Sequence, residues 1–279
     1  MFFKGCPLRC HWCHNPEGIN AVPVLAYDAR RCTGCGACVP VCPTDAHSMN
    51  ASDHQFERSR CTACGACADV CPSGALELIG REATVGEIMS VVVRDKLFYE
   101  TSGGGMTLSG GEPLMQAEAA AALIASASEQ GISSCVETCG HVPWSAIAAV
   151  APNVELFLFD LKETDTVRHE AATGVPNRRI LENLRRLHDA GARIELRLPL
   201  VAGHNDRDGH LEAVCTLARE LPELVGVRIM PYHRLGESKR LRLGMDRTDN
   251  GGETDTPSQA RVAYWYETLG AHGIPTAHD

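Results

Sequence analysis

Two stretches of the chain are near copies of each other. RRCTGCGACVPVCPTDA (residues 30–46) and SRCTACGACADVCPSGA (residues 59–75) each carry C-x2-C-x2-C-x3-C-P. The thiols are Cys32, Cys35, Cys38 and Cys42, then Cys61, Cys64, Cys67 and Cys71. This spacing suits a compact loop that wraps a cubane iron–sulfur cluster, and the small Gly and Ala residues between the cysteines let backbone amides approach the sulfurs. In such doubled runs the fourth cysteine crosses to the other cluster. Cys32, Cys35, Cys38 and Cys71 are therefore expected to hold one cluster, and Cys61, Cys64, Cys67 and Cys42 the other. Zinc sites usually come as separated C-x2-C pairs, a spacing these runs do not follow.

Fourteen cysteines in 279 residues would suggest disulfides in a secreted chain. Here eleven of them fall in three tight groups within the first 71 residues, which favours reduced, metal-bound thiolates in a reducing compartment. At 44 % apolar and 22 % charged residues the chain reads as globular, with material for a substantial core. The net charge of −9 argues against nucleic acid and anionic membranes as partners. No apolar run approaches the roughly 18 residues of a membrane span. The N-terminus lacks the ordered basic, apolar and cleavage regions of a secretion signal. A soluble cytoplasmic protein is expected.

From about residue 84 strand and helix signals alternate. MTLSG, SSCVET, LFLFDLK, RIELRLPLV and VGVRIMPYH read as strands. TVGEIMSVVVRDKLFYETSG, QAEAAAALIASASEQG, VPWSAIAAVAP, RRILENLRRLHDAG, HLEAVCTLARELP and SQARVAYWYETLGAHG read as helices. With the short MFFK at the start there are six strands. Alternating βα units predict an α/β fold with a parallel sheet, and six units suit a partial (β/α)6 barrel better than the closed eight. Residues 1–21 and 83–279 are expected to form the barrel. Residues 22–82 are expected to be a two-cluster insert after the first strand.

A third cysteine group, KGCPLRCHWCHNPEG (residues 4–18), sets Cys6, Cys10 and Cys13 in a C-x3-C-x2-C array directly after the first strand. Chemistry in a barrel sits beyond the C-terminal strand ends. Three thiolates leave one iron of a cubane without a protein ligand, and an open coordination position is a place for substrate. The alternative is a four-thiolate structural cluster that recruits Cys135, Cys139 or Cys215, but those three are expected to be ordinary buried thiols. Other strand ends carry SGGEP (Ser109 to Pro113), ETCG with Glu137 and Thr138, and DLK with Asp160 and Lys162 on one sheet face. Arg197 lies in the fifth strand and His233 ends the sixth. Buried ion pairing is the plainer reading of any one of these, and their shared placement favours ligand binding.

The doubled runs resemble a bacterial two-cluster ferredoxin. The triad, with Trp12 before its last cysteine, resembles the signature of the radical S-adenosylmethionine family. FFKGCPLRCHWCHNPEG, the double insert, GGGMTLSGGEPL, FDLK, TGVPNRRILENL, RLPLVAGHND and MPYHRLG look together like the activating enzymes of glycyl radical enzymes. The likeness is to the pyruvate formate-lyase activating enzyme-like subgroup with two extra clusters, and it runs over nearly the whole chain.

That resemblance implies a partial radical SAM barrel with three 4Fe–4S clusters. Cys6, Cys10 and Cys13 would hold the cluster that binds S-adenosylmethionine, and Lys162 and Arg197 would join them in catalysis. Trp12, Cys13, His14, Gly110, Gly111, Glu112, Asp160, Leu161, Lys162 and His233 would contact the cofactor, with Glu112 and its glycines at the methionine amino group. Glu137, Thr138 and Asp160 would hold a monovalent cation, and Arg197 the substrate glycine loop. A 5′-deoxyadenosyl radical would take one hydrogen from a glycine of a partner glycyl radical enzyme. Flavodoxin or ferredoxin would supply the electron to a monomeric activase. Relatives carry a D-G-P-G-like segment before the point where this sequence starts, so a longer N-terminus is expected. SKRLRLG stands where the family has K-Y. Two rival readings are a plain electron carrier and a radical enzyme acting on a small molecule; the first leaves the triad, SGGEP and DLK unexplained.

Overall fold

Chain segments rich in Leu, Ile, Val and Phe pair with one another in a single parallel sheet, and the helix after each returns the chain across it. The structure, a computed structural model, describes residues 1–51, 53–245 and 255–277. Its strands are β1 (Phe2–Phe3), β2 (Val24–Tyr27), β3 (His47–Asn50), β4 (Asp53–Phe56), β5 (Leu76–Ile79), β6 (Gly105–Gly110), β7 (Ser133–Thr138), β8 (Leu156–Asp160), β9 (Ile194–Leu200) and β10 (Gly226–Pro231). Six of them form one sheet in the order β1-β6-β7-β8-β9-β10, with every pairing parallel. An order that never reverses keeps each crossover turning the same way, so the sheet curls toward a barrel. The curl stops at β1 and β10, and the barrel is partial, as the six strand signals predict.

The helices are α1 (Ala66–Asp69), α2 (Val85–Val92), α3 (Lys96–Ser102), α4 (Ala117–Glu129), α5 (Trp144–Val150), α6 (Thr166–Thr173), α7 (Arg178–Asp189), α8 (Asp208–Glu220), α9 (Leu235–Arg242) and α10 (Gln259–Ala271). A capping box starts α2: Thr84 Oγ1 accepts from the Glu87 N–H (3.2 Å), and Glu87 accepts from the Thr84 N–H (2.7 Å). The sequence predicts one helix from there to Ser102. Instead a 3-10 turn at Val93–Asp95 separates α2 from α3, where consecutive β-branched valines crowd the helical turn. On α7, Ile180, Leu184 and Leu187 are buried at helical spacing against the sheet. The main core lies between sheet and helices, with Val136, Phe157, Phe159 and Leu196 at its centre. Strand alternation sorts each sequence onto two faces. Val136 and Phe157 face the helices, whereas Glu137 and Leu158 face the lumen and stay partly open.

Between β1 and β6 the chain makes two small antiparallel pairs, β2 with β5 and β3 with β4. The doubled cysteine runs are the loops between them. All eight thiols are free, and this region has its own small core of Leu25, Cys38, Cys67 and Leu76. Three of the described helices carry no sequence signal that predicts them: the single turn α1, α6 and α9. Among the described residues no helix is long and apolar enough to cross a membrane.

Candidate active site at the barrel mouth

The site is built on a loop that the chain itself clamps. Gly5 N–H donates to Gly18 O (2.8 Å) and Cys6 N–H to Ile19 O (3.0 Å), closing residues 5–19 on themselves. Arg9 and His11 N–H groups donate to the carbonyls of Thr173 and Ala172 at the end of α6. On the other side, Gly111 N–H donates to Phe3 O (2.9 Å) and Glu112 N–H to Gly5 O (2.7 Å). This explains the glycine pair. Gly110 has φ +116, and a Cβ there would lie 2.4 Å from Phe3 backbone atoms; one on Gly111 would lie 2.3 Å from Gly5 O. The close approach is between two stretches of this chain.

The loop delivers Cys6, Cys10 and Cys13 to a cavity of about 410 Å³ at the strand ends. None is in a disulfide. Burial pushes the Cys10 thiol up to about 12; Lys162 pulls against that, and Cys13 and Cys6 push further in the same direction. Burial raises Cys13 too, although a hydrogen bond from the Asn15 backbone favours its thiolate. The three sulfurs thus sense one another across one space. Such a soft, mutually repelling donor set is what an iron–sulfur cluster neutralises.

Facing the thiols, Lys162 Nζ donates to Asp160 Oδ2 at 2.9 Å. Burial opposes the Lys162 charge, yet Asp160, Cys10 and Cys139 outweigh it and hold the ammonium. Asn205 fixes this turn by donating to the Lys162 carbonyl (2.7 Å). Arg197 pairs in register with Asp160, and its guanidinium donates to Glu137 Oε1 at 2.9 Å. Ser109 Oγ donates to the other Glu137 oxygen. Beyond β10, His14 stacks on His233 at 4.0 Å and on Tyr232 at 5.2 Å, centroid to centroid. Burial pushes the His14 imidazole below its ordinary range, with the neighbouring His233 adding to the effect. Trp12 packs beside His204 and against Val201 and Tyr232.

Four of the expected positions show where their side chains go. Glu112 is buried behind the cavity wall. Its carboxylate accepts from Thr138 Oγ1, the Leu114 N–H and the Cys139 N–H, so its partners are the chain's own groups. The Leu161 side chain, just past the end of β8, belongs to the main core. Of the expected cation trio, Glu137, Thr138 and Asp160 all border the cavity; Glu137 accepts from Arg197, and the Thr138 hydroxyl donates to Glu112. Cys139 is a buried thiol, as expected, and it also borders the cavity with the triad. The signal that could have found it is its place at a strand end, right after Glu137 and Thr138. Cys215 is a buried core thiol, as expected, whereas Cys135 on β7 is only half-buried.

Comparison with known proteins agrees with this arrangement. The 4Fe-4S dicluster domain matches residues 31–75, and the radical SAM superfamily matches residues 54–213. The choline trimethylamine-lyase activating enzyme of Oleidesulfovibrio alaskensis is 43 % identical over 252 residues, 88 % of this chain and 81 % of that protein. The trans-4-hydroxy-L-proline dehydratase activating enzyme of Clostridioides difficile is 38 % identical, covering 94 % of this chain and 87 % of its own. The benzylsuccinate synthase activating enzyme of Thauera aromatica is 35 % identical, covering 98 % and 85 %. Among solved structures, a domain of pyruvate-formate lyase-activating enzyme from Bacteroides vulgatus superimposes with a TM-score of 0.53 at 27 % identity, over 62 % of this chain and 98 % of that one. Fold and site together define a radical SAM enzyme. Within that superfamily the chain belongs to the activating enzymes of glycyl radical enzymes.

Proposed function

We propose that Cys6, Cys10 and Cys13 hold a 4Fe–4S cluster whose fourth iron is left to S-adenosylmethionine, and that the enzyme uses the resulting radical to take a hydrogen from a glycine Cα of its partner. The observation that carries this reading is the convergence of three free thiols with Lys162, Asp160 and Arg197 on one cavity. When bound, the cluster supplies the single electron that splits the sulfonium into methionine and a 5′-deoxyadenosyl radical. That radical and the glycine C–H give 5′-deoxyadenosine and a glycyl radical, so atoms and electrons balance.

The chain's own residues bind and orient. Asp160 and Lys162 present opposite charges side by side, suited to an amino acid's ammonium and carboxylate. Gly110 and Gly111 keep the β6 end free of side chains where the cofactor would lie. His14, His233 and Tyr232 form a flat aromatic slab suited to a purine. Trp12, Ile19, Val201 and Ile229 make the wall partly apolar, which limits water around a reactive intermediate. Arg197, aimed by Glu137, is the donor available to a backbone carbonyl of an incoming glycine loop. The monovalent cation is not part of this proposal, because the Thr138 hydroxyl bonds to Glu112.

Cys32, Cys35, Cys38 and Cys71 hold a second cluster, and Cys61, Cys64, Cys67 and Cys42 a third, in a unit spanning residues 22–82 of a barrel enzyme. A low-potential donor such as flavodoxin or ferredoxin reduces this monomer in the cytoplasm, where thiols stay reduced. The test is anaerobic reconstitution with iron, sulfide, reductant and S-adenosylmethionine. The full chain should release 5′-deoxyadenosine, and Cys10→Ala should release none. With the partner present, a glycyl signal should appear in its EPR spectrum. No deoxyadenosine from fully iron-loaded protein would sink the proposal.

A further inference from the structure

Two arginines stand side by side on the lumen face of the sheet. Arg228 on β10 is opposite Arg197 on β9 in the strand register. Neighbouring guanidiniums repel, so an anion must hold them there. Glu195, two residues before Arg197 and on the same face, is that anion. It is 6 % exposed. Arg228 grips it as a fork, with Nε donating to Oε1 at 2.9 Å and Nη2 to Oε2 at 3.3 Å. Arg197 takes only a share: its Nε reaches the same Oε1 at 3.4 Å. On the other side Arg197 Nη1 donates to Glu137 Oε1 at 2.9 Å, and Ser109 Oγ donates to the second Glu137 oxygen. The Arg197 guanidinium is therefore pinned at two corners, and its Nη2 has no protein partner among the described residues. Arg197 borders the cavity, whereas Glu195 and Arg228 sit nearer the N-terminal strand ends, beneath it.

Resting on the reading of Arg197 as the donor to the glycine loop, we propose that Arg228 is a positioning residue: by occupying Glu195 it keeps the Arg197 Nη2 free for a backbone carbonyl of the partner. A carboxylate matches the planar fork of Nε and Nη2 better than it matches a single long bond. With Arg228 in place both Glu195 oxygens are engaged, and Arg197 adds only its long Nε contact. Without Arg228 the second oxygen falls to Arg197. Its Nη2 then turns onto Glu195, and the donor leaves the cavity for the floor below. The charges point the same way. Two cations, Arg228 and Arg197, balance two carboxylates, Glu195 and Glu137, along one row of ion pairs. Removing Arg228 leaves Arg197 alone between two carboxylates, and a neutral carbonyl competes poorly with a carboxylate for the same N–H. Arg228 touches neither cofactor nor substrate and acts through Glu195 on Arg197.

The experiment uses the full chain, reconstituted anaerobically, as wild type, Arg228→Met, Glu195→Gln, the double variant Glu195→Gln/Arg228→Met, and Arg197→Met. The substrate is the glycyl radical enzyme on which wild type raises the EPR signal, varied in concentration. Arg228→Met should raise KM for it about tenfold, as loss of one hydrogen bond from a charged donor predicts, with kcat within about twofold. The double variant has no carboxylate at residue 195 to capture Nη2, so its KM should return to within about threefold of wild type, as should that of Glu195→Gln alone. A merely structural lesion is not repaired by a second one. Deoxyadenosine formed without partner should match wild type in these three variants, because neither residue touches the cofactor. Independently of any partner, a crystal structure of Arg228→Met should show Nε and Nη2 of Arg197 both on Glu195. An Nη2 still without a protein partner in that structure overturns the proposal. So does an unchanged KM in Arg228→Met, or a double variant whose KM stays as high. Deoxyadenosine lost in Arg228→Met and not regained in the double variant also overturns it, as a folding defect. Arg197→Met separates the two readings. If it raises KM and Arg228→Met does not, the positioning role alone falls. If it too leaves KM unchanged, Arg197 does not meet the loop, and the reading beneath falls with it.

Discussion

Behind the turn that carries Asp160 and Lys162, single buried residues decide how the site stands. Glu163 accepts from Arg207 (2.6 Å) and from the Asp165 N–H (2.8 Å). His210, 1 % exposed, lies 3.4 Å from it. His210 Nδ1 accepts from the Thr164 backbone N–H (3.3 Å), so that nitrogen carries no proton. Burial lowers the ring to about 4; Glu163 opposes the shift, and Arg207 and His169 add to it. In the unfolded chain His210 would protonate near 6.5. Between those values the unfolded state binds the extra proton. The contribution is therefore complete above pH 6.5 and is lost as pH falls toward 4, by up to about 3 kcal/mol. The urea midpoint of wild type should drop more steeply than that of His210→Asn between pH 6.5 and 5, and parallel slopes would refute the assignment. At this scale the rule of strand ends pointed the triad, Lys162, Arg197 and His233 to one mouth, and the family resemblance added His14; the structure has them all bordering one cavity. Motif order did not show that the Leu161 side chain enters the core or that the Glu112 carboxylate is buried, because both lie just past a strand end, where the alternation of faces no longer gives the direction.

Elements were legible in proportion to their apolar periodicity. The alanine-rich α4 and the amphipathic α7 announce themselves; α6 and α9, drawn from TVRHEAAT and LGESKRLR, do not. Both earn their helix from tertiary contacts. α6 offers its last carbonyls to Arg9 and His11. α9 lies across the triad loop: Lys239 Nζ donates to Asn15 Oδ1 (2.8 Å) and Glu17 Oε1 (2.7 Å), and Arg242 reaches Glu77 on β5. One helix thus ties the triad loop to the cysteine-rich unit. Its closest approach is at Gly236, where a Cβ would lie 2.7 Å from the Cys13 carbonyl oxygen. Backbone cannot yield as a flexible side chain would. Gly236→Ala should therefore displace Cys13 and cost the N-terminal cluster, lowering iron from about twelve to about eight per chain. Leu235→Ala, at an exposed neighbour, should leave the iron unchanged. Iron assay after anaerobic reconstitution separates the two; equal iron in both would show that α9 does not set the triad.

The molecule as a whole joins two bodies of unequal self-sufficiency. The barrel buries a continuous apolar core, with residues such as Leu108, Ile147, Phe159, Leu198 and Trp265 fully enclosed. The cysteine-rich unit has Leu25, Cys38, Cys67 and Leu76, so half of its buried apolar cluster is made of expected cluster ligands. A unit of this size cannot bury enough surface to offset its chain entropy without metal or cross-links. The doubled cysteine spacing made this readable in advance, since a loop that dense in thiols is ordered by what it binds. Binding energy there is folding energy. Iron removal by an anaerobic chelator should therefore act on the two bodies differently. Hydrogen exchange across residues 30–75 should rise to the rate of an unfolded chain, while β7, β8 and β9 stay protected. The linkage is structural as well as local: Arg58, three residues before Cys61, donates to Leu25 O (2.9 Å) and to Arg242 O (2.6 Å), so loss of the unit should also loosen α9. Protection retained across residues 30–75 in iron-free protein would mean that the hairpins fold on their own, and that the clusters there are passengers on a scaffold.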